Sequence, residues 1–350
     1  MTYYVVAHMG LNSKDYYYAF DYMLETVLLG YYLLFTYNNY LLKIDANVDT
    51  SCLIVSSENN NTPTVIENCV STQSAENCKE FSETIRQISS LKYEDKTLFF
   101  KWLAGVIDGD GNFDLRNING KLVLKTIRIK LHNRDIRILT RIQNTLHLGR
   151  IRADKNKPHS LWIISKKEEM LFLINNINGL IRLKVKGFKN SCDYLGVVYQ
   201  EADYNIALYD PYLAGLVDTD GTIVYNYAGN RIECNLEFEN NEYSNKLNLD
   251  NAIPHYKPSV LLRESHNSIM FKYQTVKGMV YLYDYFMVNR LYSDFKFYRV
   301  SKIKEFIVIR NYKSDPKGST EFKIYSDFML DWIQYRNPLW HRTPFVDKIR

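Results

Sequence analysis

Two nine-residue stretches of this chain, LAGVIDGDG at Leu103–Gly111 and LAGLVDTDG at Leu213–Gly221, share their opening Leu-Ala-Gly, both aspartates and the closing glycine. Each sits at the end of a segment with helical spacing, at residues 98–107 and 209–217. The pairs Ala104-Gly105 and Ala214-Gly215 are small enough to let two helix backbones approach closely. Working outward, the same order of patterns follows each motif: a hairpin, a helical stretch, short strands (160–165 and 268–273), a second helix (168–177 and 276–286) and a basic segment. This duplication predicts an α+β protein of two pseudo-symmetric αββαββα units with antiparallel sheets. The expected boundaries are a leader and loose linker at 1–95, a first unit at 96–195, a second at 196–312 and a tail at 313–350.

If the two units pack about a pseudo-twofold axis, the C-terminal ends of the motif helices meet and set Asp110 beside Asp220. Bare carboxylates are unfavourable there, because like charges repel and each lies near the negative end of a helix dipole. A divalent cation resolves the conflict. Ligation by oxygen alone suits Mg²⁺, or a similar ion such as Mn²⁺, which keeps several waters and bridges to phosphates. A calcium loop counted from Asp108 fails, since its sixth place is Phe113 instead of glycine and its twelfth is Asn119 instead of glutamate. The second copy fails likewise at Ile223 and Gly229.

The formal net charge of +5 hides regions of opposite sign. Residues 1–97 carry 6 Lys/Arg against 12 Asp/Glu, whereas residues 113–190 carry 18 against 5. Residues 191–221 have six acids and no Lys or Arg, and 222–312 return to 12 bases against 9 acids. The excess in the first unit exceeds what solubility needs and suits a phosphate backbone. The hairpin after the first motif turns at Asn119-Gly120, a tight-turn pair, and its outgoing arm alternates. Ile127, Ile129 and Leu131 fall on one face, with Thr126, Arg128, Lys130 and His132 on the other. Such a cationic face fits a DNA groove and gives Arg116, Lys125, Arg128, Lys130 and His132 as candidate DNA-binding residues. The second hairpin contributes Arg231 but carries Glu233, Glu237 and Glu239 on the same face. Three carboxylates before a phosphate backbone are unfavourable. Either other loops read the second half of the ligand, or its contact has decayed.

Composition excludes several classes. With 46% apolar residues over 350 positions the chain can bury a core. Its mean hydropathy of −0.31 is not that of a polytopic membrane protein. Five widely spaced cysteines without a Cys-x-x-Cys pattern suggest neither a disulfide framework nor a zinc site. The apolar run at residues 26–37 is short for a membrane span, residues 45–80 read as a loose linker, and the start lacks the basic region of a cleavable signal. Heavy use of Tyr (29 copies) and Asn follows AT-rich codons and points to an organelle or a low-GC microbe.

At its two motifs the chain resembles the LAGLIDADG homing endonucleases and related intron maturases, in the two-motif, single-chain form, over roughly residues 96–312. That resemblance implies saddle-shaped antiparallel sheets lying over the DNA major groove. It also implies Mg²⁺-dependent cutting of both strands by a monomer, with short 3′ overhangs, in the service of intron mobility. The eighth motif residue of the family is the metal-binding acid, which falls on Asp110 and Asp220, and Asp108 and Asp218 take a supporting role. A lysine near the end of each unit polarises the water network in that family. Its counterparts by pattern are Lys186, with Lys184 as a rival, and Lys296. Family active sites are lined by polar residues at the end of the second hairpin strand, here His132 and Asn133, with Glu239 and Asn240 as approximate counterparts.

Residues 2–8, TYYVVAH, resemble a segment of cytochrome c oxidase subunit I, as an exon remnant ahead of an intron reading frame would. This implies a mitochondrial (matrix) protein. The leading expectation is therefore a site-specific endonuclease of double-stranded DNA. The alternative is a maturase that binds group I intron RNA by shape. The tail, with Trp332 and Trp340, docks on either the core or RNA.

Overall fold

In a computed structural model, residues 93–350 are described. Residues 1–92 of the leader and linker, with the apolar run, lie outside that range, as do Cys52, Cys69 and Cys78, while residues 93–95, assigned to the leader from sequence, open the first motif helix. The first repeat runs α1 (Tyr93–Asp110), β1 (Gly111–Ile118), β2 (Lys121–His132), α2 (Ile136–Leu146), β3 (Arg150–Ala153), β4 (His159–Ile164), α3 (Lys167–Ile177) and α4 (Val185–Leu195). The second runs α5 (Tyr212–Thr219), β5 (Thr222–Asn226), β6 (Arg231–Glu239), α6 (Glu242–Lys246), β7 (Ser259–Arg263), β8 (Ser268–Tyr273), α7 (Met279–Val288), α8 (Asp294–Ser301) and α9 (Ile303–Ile309). After these come α10 (Thr320–Gln334) and the short α11 (Val346–Ile349). Each repeat thus carries the expected αββαββα order with helices added at its end. Each sheet is antiparallel, ordered β1-β2-β4-β3 and β5-β6-β8-β7.

The alternation read from the sequence sets which side of each sheet is covered. Ile127, Ile129 and Leu131 of β2 are buried, as are Ile232, Cys234, Leu236 and Phe238 of β6. The β1–β2 register slips between Asp114 and Leu115, so that Lys125 has no partner and the inward positions jump from Leu124 to Ile127. At the hairpin tip Asn119 and Gly120 both have positive φ, 52° and 78°, as the tight turn requires. The copies differ most between their hairpins and second sheet halves, where α2 has 11 residues and α6 has 5.

The halves meet along α1 and α5. A Cβ on Gly105 would sit 2.2 Å from the Tyr212 carbonyl oxygen, and one on Gly215 would sit 2.1 Å from that of Trp102. The two helices therefore touch backbone to backbone at reciprocal positions, flanked by fully buried Leu103, Ile107, Leu213 and Leu216. The tail docks on the core. Trp332 of α10 is completely buried and donates its indole N–H to the Arg299 carbonyl at 3.1 Å, while Trp340 stays partly exposed beneath the Arg350 guanidinium. No helix among the described residues is long and apolar enough to cross a membrane.

Replacing Gly105 by alanine forces backbone apart at the crossing. G105A should lose about 1–3 kcal/mol of stability or more in urea denaturation. G318A, where a Cβ meets nothing within 4 Å, should stay within about 0.5 kcal/mol of the parent. Equal stability of the two variants would refute the close crossing.

Candidate active site at the helix seam

Asp110 ends α1 and Asp220 follows the last residue of α5. The two helix ends converge: a Cβ on Gly109 would lie 1.9 Å from Thr219 Oγ1 and 3.4 Å from Asp220 Oδ2. The Asp220 carboxylate thus rests against the residue that precedes Asp110. Protein atoms surround most of both carboxyls although the Asp220 residue remains accessible from solvent. This desolvation raises both pKa values. Asp220 is pushed up to about 6, by burial first and by the Asp110 charge next, against the pull of Lys184 and Lys296.

Those two lysines occupy the helix ends. Lys296 is buried and donates to the carbonyls of Val217, Asp218 and Thr219 at 2.8, 2.9 and 2.9 Å. Lys184 donates to the carbonyls of Gly109 and Gly111. Each ammonium therefore sits at the negative end of a motif helix, where a cation is stabilised. Burial pushes both lysines down, and the neighbouring aspartates pull them back up. Lys186, preferred over Lys184 by the sequence pattern, is exposed on α4 and makes none of these bonds, so the lysine at the first helix end is Lys184. The pattern misled because the halves supply the ammonium differently. Lys184 lies just before α4, whereas Lys296 lies inside α8.

Asp108 and Asp218 are 2% and 1% exposed and lock the seam. Asp108 accepts the backbone N–H of Arg182 (2.7 Å) and Lys184 (2.9 Å) from its own half, and the Tyr212 hydroxyl (2.8 Å) from the other. Asp218 accepts the N–H of Tyr292 and Ser293, both at 2.8 Å, and the Trp102 indole N–H (2.9 Å) across the seam. Desolvation raises both carboxyls, Asp218 to about 6. Trp102 and Tyr212 each directly precede a motif, so an aromatic donor at the same repeat position was the legible signal for this exchange. Asp135, buried in the β2–α2 turn and not singled out by sequence, adds a further cross-seam bond by accepting the Ser293 hydroxyl at 2.5 Å.

The donor chemistry of the seam fits a hard divalent cation. Two carboxylates held together against mutual repulsion supply oxygen ligands only. Among the described residues no group of three or more His, Cys, Asp or Glu side chains converges as a metal cage. Two protein carboxylates, with the remaining positions left to water and phosphate, suit Mg²⁺ better than an ion that needs an all-protein cage.

The outward face of the first sheet is cationic. In cross-strand register, Asn112, Arg128, Ile163 and Arg150 form one row, and Lys130, Leu161 and Arg152 the next. Arg116 extends this face on β1, and His132 stands opposite His159 at its end, with ring centroids 5.6 Å apart. Lys125 is exposed at the bulge. Arg150 and Arg152 were missed by sequence, where β3 is too short to show an alternation. Asn133, at the end of β2, accepts the Ser160 hydroxyl at 2.8 Å and serves the sheet edge. On the second sheet Arg231 donates to Glu233 at 2.7 Å, and Glu239 and Asn240 lie at the end of β6.

Comparison with known proteins agrees with the resemblance read at the motifs. Residues 103–194 match the family described as LAGLIDADG endonuclease. An intron-encoded RNA maturase, bI4, of Saccharomyces cerevisiae is 30% identical over 156 residues, which are 44% of this chain and 24% of that protein. An intron-encoded DNA endonuclease, ai2a, of Dictyostelium discoideum is 25% identical over 257 residues, 70% of this chain and 76% of that one. The chain thus spans about a quarter of the first relative and about three quarters of the second. Among solved structures, the I-LtrWI LAGLIDADG homing endonuclease bound to target DNA aligns with a TM-score of 0.46 at 12% identity, covering 68% of this chain and 96% of that one.

Two outcomes follow from this geometry. Lys184→Met should cost about 1–3 kcal/mol of stability, because it strands two helix-end carbonyls, while Lys186→Met should stay within about 0.5 kcal/mol in the same denaturation assay. The second concerns pH. A carboxyl whose pKa is about 6 folded and about 3.9 unfolded contributes stability below the lower value, lost as pH rises through the higher. In chelator, wild type should therefore lose more stability between pH 4 and 7 than Asp220→Asn. Some slope remains in the variant through Asp218, which has the same sign. Parallel profiles would contradict the crowded carboxylate pair.

Proposed function

We propose that this chain is a site-specific endonuclease of double-stranded DNA that uses Mg²⁺ or a similar divalent ion and acts as a monomer in the mitochondrial matrix to promote intron mobility. The observation that carries the reading is the meeting of Asp110 and Asp220 at one seam, between two sheets of which the first is strongly cationic outward. Asp110 and Asp220 would hold the ion, whose bound form supplies a nucleophilic water and stabilises the departing oxygen of a phosphodiester. The rest is work of the chain itself. Lys184 and Lys296 fix the helix ends and lower the repulsion between the carboxylates. Asp108 and Asp218, through their cross-seam bonds to Tyr212 and Trp102, keep the two acids in one register. Arg116, Lys125, Arg128, Lys130, His132 and Arg231 bind the nucleic acid, joined by Arg150 and Arg152. One chain with two motifs supplies both halves of the site, which favours a monomer.

The mitochondrial assignment and the substrate rest on residues 2–8, which resemble cytochrome c oxidase subunit I, and on two relatives described as intron-encoded. A second reading is favoured by one specific observation: the 30% identical relative is described as an RNA maturase. On that reading the same cationic face binds folded group I intron RNA without cutting.

The test is incubation of the full chain with an intronless oxidase-subunit-I gene fragment and Mg²⁺, beside Asp110→Asn and Asp220→Asn. Cleavage by wild type, reduced at least a hundredfold in both variants, is the expected outcome, because each removes a ligand of the ion (~10²-fold or more). Uncut DNA together with tight intron-RNA binding, unchanged in the variants, would replace the endonuclease by the maturase.

A further inference from the structure

The carboxylates of the second sheet read from sequence as a liability. The structure gives two of them partners that change their meaning. On the outward face of β6, Glu233 is 5% exposed and accepts both Arg231 Nε at 2.7 Å and the Asn226 amide at 2.8 Å. Glu237 accepts Arg263 Nη1 at 2.9 and 3.2 Å, and the Ser268 hydroxyl at 2.5 Å. Arg263 reaches it from β7, two strands away, across the small Ser268 of β8. The first sheet repeats the device. Arg116 Nε and Nη2 are taken by the two oxygens of Asp114 at 3.4 and 3.0 Å, and Arg128 Nε by Asn112 at 3.2 Å.

Four outward arginines thus have their guanidinium plane fixed by an acceptor on their own sheet. In Arg128 and Arg231 the bond uses Nε, leaving the whole terminal edge of two amino groups directed away from the acceptor. Such an edge matches the N7 and O6 acceptors of guanine in the major groove. A fixed plane loses less rotamer freedom on binding than a free side chain, which sharpens discrimination between bases. A bare phosphate contact needs no such fixing, since it carries no sequence information.

We propose that Arg116, Arg128, Arg231 and Arg263 read guanines, held in orientation by Asp114, Asn112, Glu233 and Glu237. On this assignment, which rests on the DNA-binding reading above, the acids of the second sheet are positioning residues for its arginines. The second half-site is then recognised with little net charge. The first combines the same readers with the phosphate contacts of Lys130, Arg150 and Arg152. The second half-site contributes sequence preference and only a shallow salt dependence.

The test selects bound sequences from a pool of randomised duplex DNA, using the full chain without Mg²⁺. Wild type should enrich guanines in both halves of one motif. The double variant Glu233→Gln/Glu237→Gln should lose the guanine preference of the second half by roughly 5- to 100-fold, keep that of the first half, and bind mixed-sequence DNA more tightly because two negative charges are gone. Arg263→Lys, which retains the charge, should lose preference at one position of the second half. Retention of every guanine at wild-type strength in these variants would overturn the assignment. A wild-type chain that enriches no motif would instead overturn the DNA reading beneath it.

Discussion

Everything in this molecule hangs on two helix backbones that touch. At Gly105 and Gly215 each residue faces the partner helix's carbonyl at a distance where no Cβ fits, so the crossing point is fixed by sterics. A crossing fixed there brings the C-terminal ends of α1 and α5 together five residues later, where the acids stand. Because β1 begins on the last residue of its motif and β5 on the residue after its own, the same contact also fixes where the two sheets start relative to the seam.

Convergence of two helix C-termini gathers negative charge twice over, from the backbone dipoles and from four aspartates. The chain distributes the burden by depth. The sixth-position acids are buried and satisfied by backbone amides and by an aromatic donor from the opposite half. The lysines are spent on the helix-end carbonyls. Among the described residues the eighth-position acids take no hydrogen bond from a protein group, and Asp220 accordingly has its pKa raised, by burial first and by the Asp110 charge next. A site built this way favours a doubly charged ion, because a single proton relieves only one of its two carboxylates.

Much of this is legible in the amino-acid sequence. The duplicated motif gave the repeat, the small pair in each copy gave the helix contact, and period-two alternation in β2 and β6 separated core from surface. The choice of Lys184 over its rival Lys186 is not, because which of two lysines two residues apart reaches a helix end depends on where α4 begins. The acidic face of β6 was read correctly as outward and its consequence was not. Arg231 and Glu233, two apart on one strand, lie on the same face and can pair, and the same spacing joins Asp114 to Arg116. The partnership of Arg263 with Glu237 needed the strand order β6-β8-β7, which no local pattern encodes.

The two halves share a frame and differ in what they place on it. Position seven of the motif is Gly109 in one copy and Thr219 in the other, and the threonine needs the glycine opposite it, since a side chain at 109 would collide with it. The lysine comes from the residue before a helix in one half and from within a helix in the other. The tail joins this asymmetry. Asp294 of α8 accepts Arg137 of the first half at 2.5 Å and Arg336 beyond α10 at 3.0 Å, so one carboxylate ties the first repeat, the second repeat and the tail together two residues before Lys296. Once two copies lie in one chain, nothing requires them to stay alike except the glycine crossing and the acids it delivers. In the proposed endonuclease, the divergence of their outer faces is what lets one molecule read two unlike half-sites.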